Sequence, residues 1–328
     1  SGCTACFSYG APSVSSFAST YGSTATALPV YVTTAGLTNL TFSGSNFGRK
    51  GVATVVLSDS SDDDSSMALA VASQDHTHVS VYLPEGCGSG YTVTVTIANQ
   101  ETTFALHYNS PTISGILPAG TRFGTIGGEN FVVSGSDFCV AQGADGSSSA
   151  TLTTPLGTTA GTLTVGDGSE GVVATQVVIY SWSHTTIVGR TPPGQGTSLP
   201  ITIDAGGQDA TNEGAFSYEP PTLEIVSPDT AHTGGGTVAT LVGTNFGTEN
   251  ATRYVRWGGS ATVLSSSWRF VNHTHIVLYI PSGQGDDVAI QVFVNDQISH
   301  PSFNFSYDPP VIRRVRPLTG STEACQRW

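Results

Sequence analysis

The sequence predicts an all-β chain, a tandem array of β-sandwiches in which each unit repeats one order of motifs. Three observations lead there. Apolar and polar residues alternate in runs such as Tyr91-Thr-Val93-Thr-Val95-Thr-Ile97, which puts every second side chain on one face of a strand. Gly and Pro punctuate the chain about every 8–12 residues, the turn spacing of a sandwich, and no stretch carries a helical apolar period. A set of short motifs also recurs three times at matched spacing, the mark of a repeat architecture.

The elements come in the same order in each copy. An opening strand lies between prolines, as in Pro111-Thr-Ile-Ser-Gly-Ile-Leu-Pro118 and Pro221-Thr-Leu-Glu-Ile-Val-Ser-Pro228. Next comes Gly44-Ser-Asn46-Phe47-Gly48, repeated as Gly135-Ser-Asp137-Phe138 and Gly243-Thr-Asn245-Phe246-Gly247. A His-containing segment leads to a Pro: His76-Thr-His78 to Pro84, His184 to Pro192, and His273-Thr-His275 to Pro281. A Gly-x-Gly turn comes after each: Gly86/Gly88, Gly194/Gly196 and Gly283/Gly285. The copy closes on Phe104-Ala-Leu-His-Tyr108, Phe216-Ser-Tyr218 or Phe303-Asn-Phe305-Ser-Tyr307. Gly44 to Tyr108 and Gly243 to Tyr307 are both 64 residues, whereas Gly135 to Tyr218 is 83. The middle copy therefore holds about 19 extra residues, which we place in the Ser/Thr/Gly-rich span 144–171. About seven short strands per copy reads as a sandwich of immunoglobulin type. The Cys…Trp…Cys core of antibody domains is missing, so each core must hold by packing.

The resulting division is 1–10, the closing strand of a preceding copy; 11–109, repeat 1; 110–219, repeat 2 with its insertion; 220–309, repeat 3; and 310–328, the opening strand of a further copy. Phe7-Ser8-Tyr9 and Pro310-Val-Ile-Arg-Arg-Val-Arg-Pro317 carry the two orphan strands. A solitary strand can neither bury its apolar face nor pair its backbone. The expectation is a chain that continues in both directions, or a tail that completes the head of another chain. The opening Ser1-Gly-Cys3-Thr-Ala-Cys6 is neither a signal peptide nor a starting methionine, so a processed or excised chain is expected.

Composition narrows the function. Ser and Thr number 39 and 44, about a quarter of 328 residues, while charged residues are 11% and net charge is −13. There is a single lysine, Lys50, and the one basic cluster is Arg313-Arg314-Val-Arg316. Nucleic-acid binding needs clustered cations to displace phosphate counterions, so no nucleic-acid partner is expected. No apolar run reaches the ~18 residues of a membrane-spanning helix. Five cysteines, Cys3, Cys6, Cys87, Cys139 and Cys325, are the disulfide candidates, with the pairing open and one left over. Cys3-x-x-Cys6 lacks the second ligand pair of a zinc site.

The motif order Pro-x-Ile-x-x-Ile-x-Pro, Gly-Gly, Gly-x-Asn-Phe-Gly, Pro-x-Gly-x-Gly, Phe-x-Tyr-x-x-Pro resembles the IPT/TIG domain. This is the immunoglobulin-like module of plexins, the hepatocyte growth factor receptor and many surface proteins. Repeat 3 carries the full set, including Gly234-Gly235-Gly236. Repeat 2 departs at Phe138-Cys139, and repeat 1 has Thr34-Ala35-Gly36 in place of the glycine pair. The resemblance implies the fold and leaves function open, because one fold hosts many sites. It includes Rel-type DNA-binding members, whose basic loops have no counterpart here.

Candidate site residues are few. Four sequons, Asn39-Leu-Thr41, Asn250-Ala-Thr252, Asn272-His-Thr274 and Asn304-Phe-Ser306, are glycosylation candidates in a secretory setting. The alternation Phe303-Asn304-Phe305 turns Asn304 to water, and Leu40 and Phe42 do the same for Asn39. His76/His78 and His273/His275 are spaced to share one strand face and could share a metal. Asp59, Asp62, Asp63 and Asp64 offer oxygen ligands for a structural Ca2+, without the order of a calcium-binding EF-hand loop. For both sets the ordinary reading is a solvated polar surface. Gly166-Asp-Gly168-Ser-Glu-Gly171 matches a dinucleotide fingerprint literally, but it leads into a strand pattern and not a helix. No nucleophile elbow, phosphate-binding lysine loop or paired acid and base occurs, so no catalytic residue, no cofactor and no enzyme is expected. The Tyr-x-Pro-Pro joints at Tyr218–Pro221 and Tyr307–Pro310 leave almost no linker and fix φ. Three stacked sandwiches would then make a rod of roughly 110 Å.

The function expected from these readings is that of a non-enzymatic extracellular or cell-surface protein, structural or adhesive, and a glycosylated subunit of a surface filament. Its partners would be other copies of itself, adjoining repeats of a longer chain, and glycans. The alternatives are a receptor or adhesin stalk and, last, a Rel-like DNA-binding module.

Overall fold

A computed structural model of the chain describes residues 9–19, 24–25, 29–36, 39–60, 62–143, 146–169, 173–258, 261–263, 268–300 and 302–316. Every element among them is a strand. Repeat 1 contains β1 (Ser13–Ser19), β2 (Thr24–Ala25), β3 (Val30–Val32), β4 (Asn39–Ser45), β5 (Ala53–Asp59), β6 (Asp62–Leu69), β7 (Val71–Gln74), β8 (His78–Tyr82), β9 (Tyr91–Ile97) and β10 (Gln100–Tyr108). Repeat 2 contains β11 (Thr112–Leu117), β12 (Asn130–Ser136), β13 (Ser149–Thr154), β14 (Gly157–Val165), β15 (Thr175–Gln176), β16 (Val178–Trp182), β17 (Thr186–Arg190), β18 (Leu199–Ala205) and β19 (Asp209–Phe216). Repeat 3 contains β20 (Thr222–Ser227), β21 (Thr230–Ala231), β22 (Val238–Thr244), β23 (Arg253–Trp257), β24 (Ala261–Val263), β25 (Trp268–Asn272), β26 (His275–Tyr279), β27 (Val288–Val294), β28 (Gln297–Ile298) and β29 (Phe303–Tyr307). Repeats 1 and 2 form one compact unit and repeat 3 a second.

Each repeat packs two sheets face to face. The first sheet runs β2-β1-β4-β8-β7, then β11-β12-β17-β16, then β20-β22-β26-β25. The second runs β3-β10-β9-β5-β6, β13-β14-β18-β19 and β21-β29-β27-β23-β24. The alternation read in Tyr91–Ile97 is the observed burial pattern of β9, with Tyr91, Val93, Val95 and Ile97 inside. One core cluster fills each sandwich, around Phe42 and Phe104, around Phe131 and Phe216, and around Phe246 and Phe305.

The repeated motifs are explained by two tight contacts. At Gly44, Gly135 and Gly243 a Cβ would lie 1.8–1.9 Å from the carbonyl oxygen of Ser13, Thr112 or Thr222 on the opening strand. Only glycine lets those backbones meet. Two residues on, Asn46, Asp137 and Asn245 take left-handed φ of 64°, 59° and 58°, which Asn and Asp tolerate better than other side chains. The next residue, Phe47, Phe138 or Phe246, donates its N–H to the carbonyl of His76, His184 or His273. Its own carbonyl is buried and accepts from a different side chain in each copy: Gln74 Nε2 at 2.6 Å, Trp182 Nε1 at 2.5 Å, Arg253 Nε at 2.6 Å.

The closing tyrosine makes the second contact. Tyr108, Tyr218 and Tyr307 donate their hydroxyls to the carbonyls of Pro84, Pro192 and Pro281 at 2.8–2.9 Å. Their rings lie over Gly86, Gly194 and Gly283, where a Cβ would sit 2.5–3.0 Å from a ring carbon. Their N–H groups bond the carbonyls of Gly88, Gly196 and Gly285. In repeat 1, Gly36 takes the left-handed φ (63°) that Gly127 and Gly235 (both 71°) take elsewhere. The departure at Thr34-Ala35 therefore spares the glycine that the turn requires.

The middle insertion forms the hairpin β13–β14, which adds β13 outside β14, at the edge that β6 and β24 occupy in the other repeats. One expectation changes. Residues 310–316 form no strand, and Val311, Ile312 and Val315 are 63–82% exposed, because no neighbouring strand pairs with them here. Tyr9 is likewise outside any strand, and residues 1–8 and 317–328 lie outside the described residues.

Replacing Tyr218 with Phe strands the Pro192 carbonyl without its donor, which costs about 1–3 kcal/mol for a buried polar group. A clear drop in the urea midpoint of the chain is expected, and an unchanged midpoint would contradict this role of the hydroxyl.

Candidate functional site: the joint between repeats 1 and 2

Polar and apolar contacts converge where repeat 2 seats on the end of repeat 1. The turn carrying Asp137 reaches back to repeat 1, and its carboxylate accepts from Thr34 N–H at 3.1 Å, Thr34 Oγ1 at 3.5 Å and Asn109 Nδ2 at 3.4 Å. Thr34 Oγ1 lies 2.9 Å from His184 Nδ1, and His184 Nε2 lies 3.9 Å from a Glu85 carboxylate oxygen. On the opposite side Gln208 Nε2 donates to the Tyr108 carbonyl at 3.1 Å and to Ser110 Oγ at 3.2 Å.

An apolar peg accompanies the polar latch. The tip of the β13–β14 hairpin inserts toward repeat 1. A Cβ on Gly86 would lie 2.5 Å from Pro155, and Leu156 packs against the core of repeat 1. In return Cys87, from the Gly86-Cys-Gly88 turn, is buried in the core cluster of repeat 2. Its thiol donates to the Thr153 carbonyl at 3.4 Å. The extra residues of repeat 2 thus build the contact surface of the joint. Thr34 is fully buried, so its hydroxyl beside His184 ties the two sandwiches together.

Burial pushes the His184 imidazole below its ordinary value against the pull of Glu85 and Asp137. It is therefore neutral at pH 7 and accepts or donates one hydrogen bond to Thr34. Tyr108 and Tyr218 are pushed up by burial, so both hydroxyls stay protonated donors. Burial brings Arg253 down to about 10, and it remains charged over the Phe270 ring at 3.7 Å.

The remaining candidates lie away from this joint or touch only its rim. His76 and His273 sit in the turns before β8 and β26, so neither His pair shares a strand face as the spacing suggested. His78 Nδ1 is tied to Thr77 Oγ1 at 2.9 Å, and His275 Nδ1 to Thr274 Oγ1 at 2.8 Å. Their turns are held by Asp75 and Asn272, whose oxygens accept from the N–H groups of Thr77 and Thr274. Those local bonds pull Asp75 down to about 2, first through Thr77. Asp59 lines an open cleft of about 360 Å3 between repeats 1 and 2. The side chains of Asp62, Asp63 and Asp64 lie outside the described residues. Among the described residues no three His, Cys, Asp or Glu gather as metal ligands, and no helix could cross a membrane. Asn250, Asn272 and Asn304 are exposed, while Asn39 is half-buried at the start of β4 opposite Tyr82. Cys3, Cys6 and Cys325 lie outside the described residues.

The family model for the IPT/TIG domain matches residues 111–218 and 221–307, which are repeats 2 and 3. The chain belongs to the IPT/TIG family. Repeat 1 precedes the matched residues and shares their strand order. No curated protein matches the chain. Similar solved structures include the plexin A4 extracellular region, at 14% identity and TM-score 0.27, over 85% of this chain and 24% of that one. A surface glycan-binding protein from Prevotella bryantii is 15% identical with TM-score 0.36, over 60% of this chain and 42% of that one. The I9–I11 tandem of titin is 12% identical with TM-score 0.25, over 85% of this chain and 96% of that one. The chain thus spans about a quarter of the plexin region it matches.

Sequence reading of this IPT/TIG chain missed Asp137, His184, Gln208 and Thr34 as a group. Asp137, His184 and Thr34 stand in motifs whose other copies act locally, Gln208 lies in the turn between β18 and β19, and only the docking of two repeats brings them together.

Two outcomes test the joint. Asp137→Asn keeps the side chain that repeats 1 and 3 use in this turn, so repeat 2 stays folded while the latch loses its charge. Amide exchange at Thr34 should speed up about tenfold, the loss of roughly 1.4 kcal/mol from a charge-assisted bond. Because the folded pKa of His184 is depressed, its contribution is complete above the ordinary value near 6.5 and lost as pH falls through the folded pKa. Exchange at the joint should therefore be faster at pH 5 than at pH 7 after correction for intrinsic rates, and His184→Gln should flatten that dependence.

Proposed function

We infer that the chain is a non-enzymatic, extracellular structural or adhesive array, and that it serves as a glycosylated subunit of a surface filament or appendage. The observation that carries this reading is the joint: repeats 1 and 2 exchange a carboxylate latch, a hairpin tip and a buried thiol, which couples them stiffly end to end. Membership of the IPT/TIG family supports a role in binding or spacing over one in catalysis.

The two halves of that joint also recur on other repeats. On repeat 3, Thr233, Gln284, Gly285, Tyr307 and Asp308 line an open cavity of about 770 Å3. They are the counterparts of Thr34, Cys87, Gly88, Tyr108 and Asn109, which seat repeat 2. On repeat 1, Asn46 and Gly48, counterparts of Asp137 and Cys139, line a cavity of about 380 Å3 with His76 and Arg49. One surface of each type suits a further repeat, whether from another copy or from a longer chain. Exposed Asn250 and Asn304 fit an extracellular setting in which sequons carry glycans.

Electron microscopy of native, source-derived material separates the two versions of this reading. Long filaments with an axial repeat near three domains are expected. Dispersed short rods would overturn the filament and favour a receptor or adhesin stalk. Enzymatic removal of N-glycans should lower the mass of the native chain, with Asn250→Gln and Asn304→Gln each abolishing one step; a chain of unmodified mass contradicts the secretory assignment.

A further inference from the structure

Cys87 and Cys139 each break the pattern of the other repeats. Cys87 stands where repeats 2 and 3 carry Gln195 and Gln284 between two glycines. Cys139 stands where repeats 1 and 3 carry Gly48 and Gly247. The second departure opposes the backbone, because this position is left-handed in all three copies, with φ of 73°, 67° and 76°. An L-residue other than Asn or Asp rarely takes that conformation, so the cysteine calls for a compensating role.

The two departures meet at the joint. Cys87 is 0% exposed and Cys139 1%, and both belong to the core cluster of repeat 2 although Cys87 is a residue of repeat 1. Both are free thiols. The surroundings are fixed on both sides: Cys87 Sγ bonds the Thr153 carbonyl, and Thr153 N–H bonds the Val140 carbonyl at 2.8 Å, next to Cys139. These bonds bring the two buried thiols together in one core cluster.

We propose that Cys87 and Cys139 form a disulfide that locks repeat 1 covalently to repeat 2. The proposal rests on the extracellular reading, since lasting disulfides belong to oxidising compartments. The oxidant is a small-molecule or protein disulfide. One cysteine, as thiolate, attacks a sulfur of that disulfide, forms a mixed disulfide and releases one oxidant thiolate. The other cysteine, as thiolate, then attacks the mixed disulfide and releases the second. One S–S bond is made and one broken, two electrons pass to the oxidant, and the two cysteine protons end on its thiols. In the docked joint, the neighbouring Cys87 thiol and burial push the Cys139 thiol up. The attacking thiolate is then scarce, so the bridge forms while the repeats fold and dock. It closes a loop of roughly 50 residues and so restricts the unfolded chain. Opening of the joint would also require reduction.

The test uses the full chain secreted from eukaryotic cells, alkylated, unfolded and digested with trypsin without reductant. Cleavage after Lys50, Arg122 and Arg190 puts Cys87 and Cys139 on separate peptides, apart from Cys3, Cys6 and Cys325. A species joining 51–122 to 123–190 is expected, resolved into two peptides by reductant. Free alkylatable thiols on both, or links to the terminal cysteines, overturn the bridge. The variant Cys87→Gln/Cys139→Gly restores the residues of the other repeats; it should fold, give no linked species, and unfold several degrees below the oxidised parent. Equal melting temperatures of the parent before and after reduction would show that no bridge forms. Glycan mass on the same sample reports the compartment separately. Glycans with free Cys87 and Cys139 sink the bridge alone. Absence of glycans with the linked species formed in glutathione redox buffer sinks the extracellular reading and keeps the bridge.

Discussion

The Gly-x-Asn/Asp-Phe turn is the constraint on which the rest of this chain depends. The opening strand crosses so close to the turn that a single Cβ at Gly44, Gly135 or Gly243 would strike a carbonyl oxygen. The chain then reverses through a left-handed Asn or Asp and drives a phenylalanine into the core between the sheets. That leaves a buried carbonyl on the phenylalanine, and an unmade hydrogen bond there would cost about as much as a core cavity. Each repeat answers it with whatever donor its sandwich places nearby: an amide from β7, an indole from β16, a guanidinium from β23.

The joint is a second use of the same turn. In a left-handed conformation the side chain of Asp137 projects away from its own sandwich, and in repeat 2 it meets the end of repeat 1. The other end of each sandwich is shaped by the closing tyrosine and the Gly-x-Gly turn beneath it. The elements that close a repeat therefore also form its two contact surfaces. This is why docking needs little beyond the repeat itself: a carboxylate in place of an amide, a longer hairpin, and two cysteines. Within this unit, stiffness comes from interlocked side chains, with the short proline-containing connection at Asn109–Pro111 setting only the reach.

The fold was legible because its signals are local and repeated. Period-two alternation fixed β9, and matched spacing fixed the three repeats, even where repeat 1 lost a glycine. The insertion was located within 144–171, but its role was not, because a Ser/Thr/Gly-rich segment gives no sign that Pro155 and Leu156 at its tip meet another domain. The donors Gln74, Trp182 and Arg253 were invisible for a different reason: three residue types on three non-equivalent strands do one job, so no motif marks them. The His pairs misled because i, i+2 spacing implies a shared face only inside a strand, and Asp75 and Asn272 start turns there. Arg253 also shows how burial changes a residue's meaning. It reads as a surface cation in sequence, yet it spans a buried carbonyl and an aromatic face.

The central claim is that repeats 1 and 2 move as one body. Pulsed dipolar spectroscopy between spin labels placed by non-cysteine chemistry at exposed Glu101 on β10 and Glu213 on β19 measures that directly in the full chain. A single narrow distance distribution, unchanged between low and physiological salt at neutral pH, is the predicted result. A broad or multimodal distribution would mean that the two sandwiches hinge freely, and the joint would then be a contact without mechanical consequence.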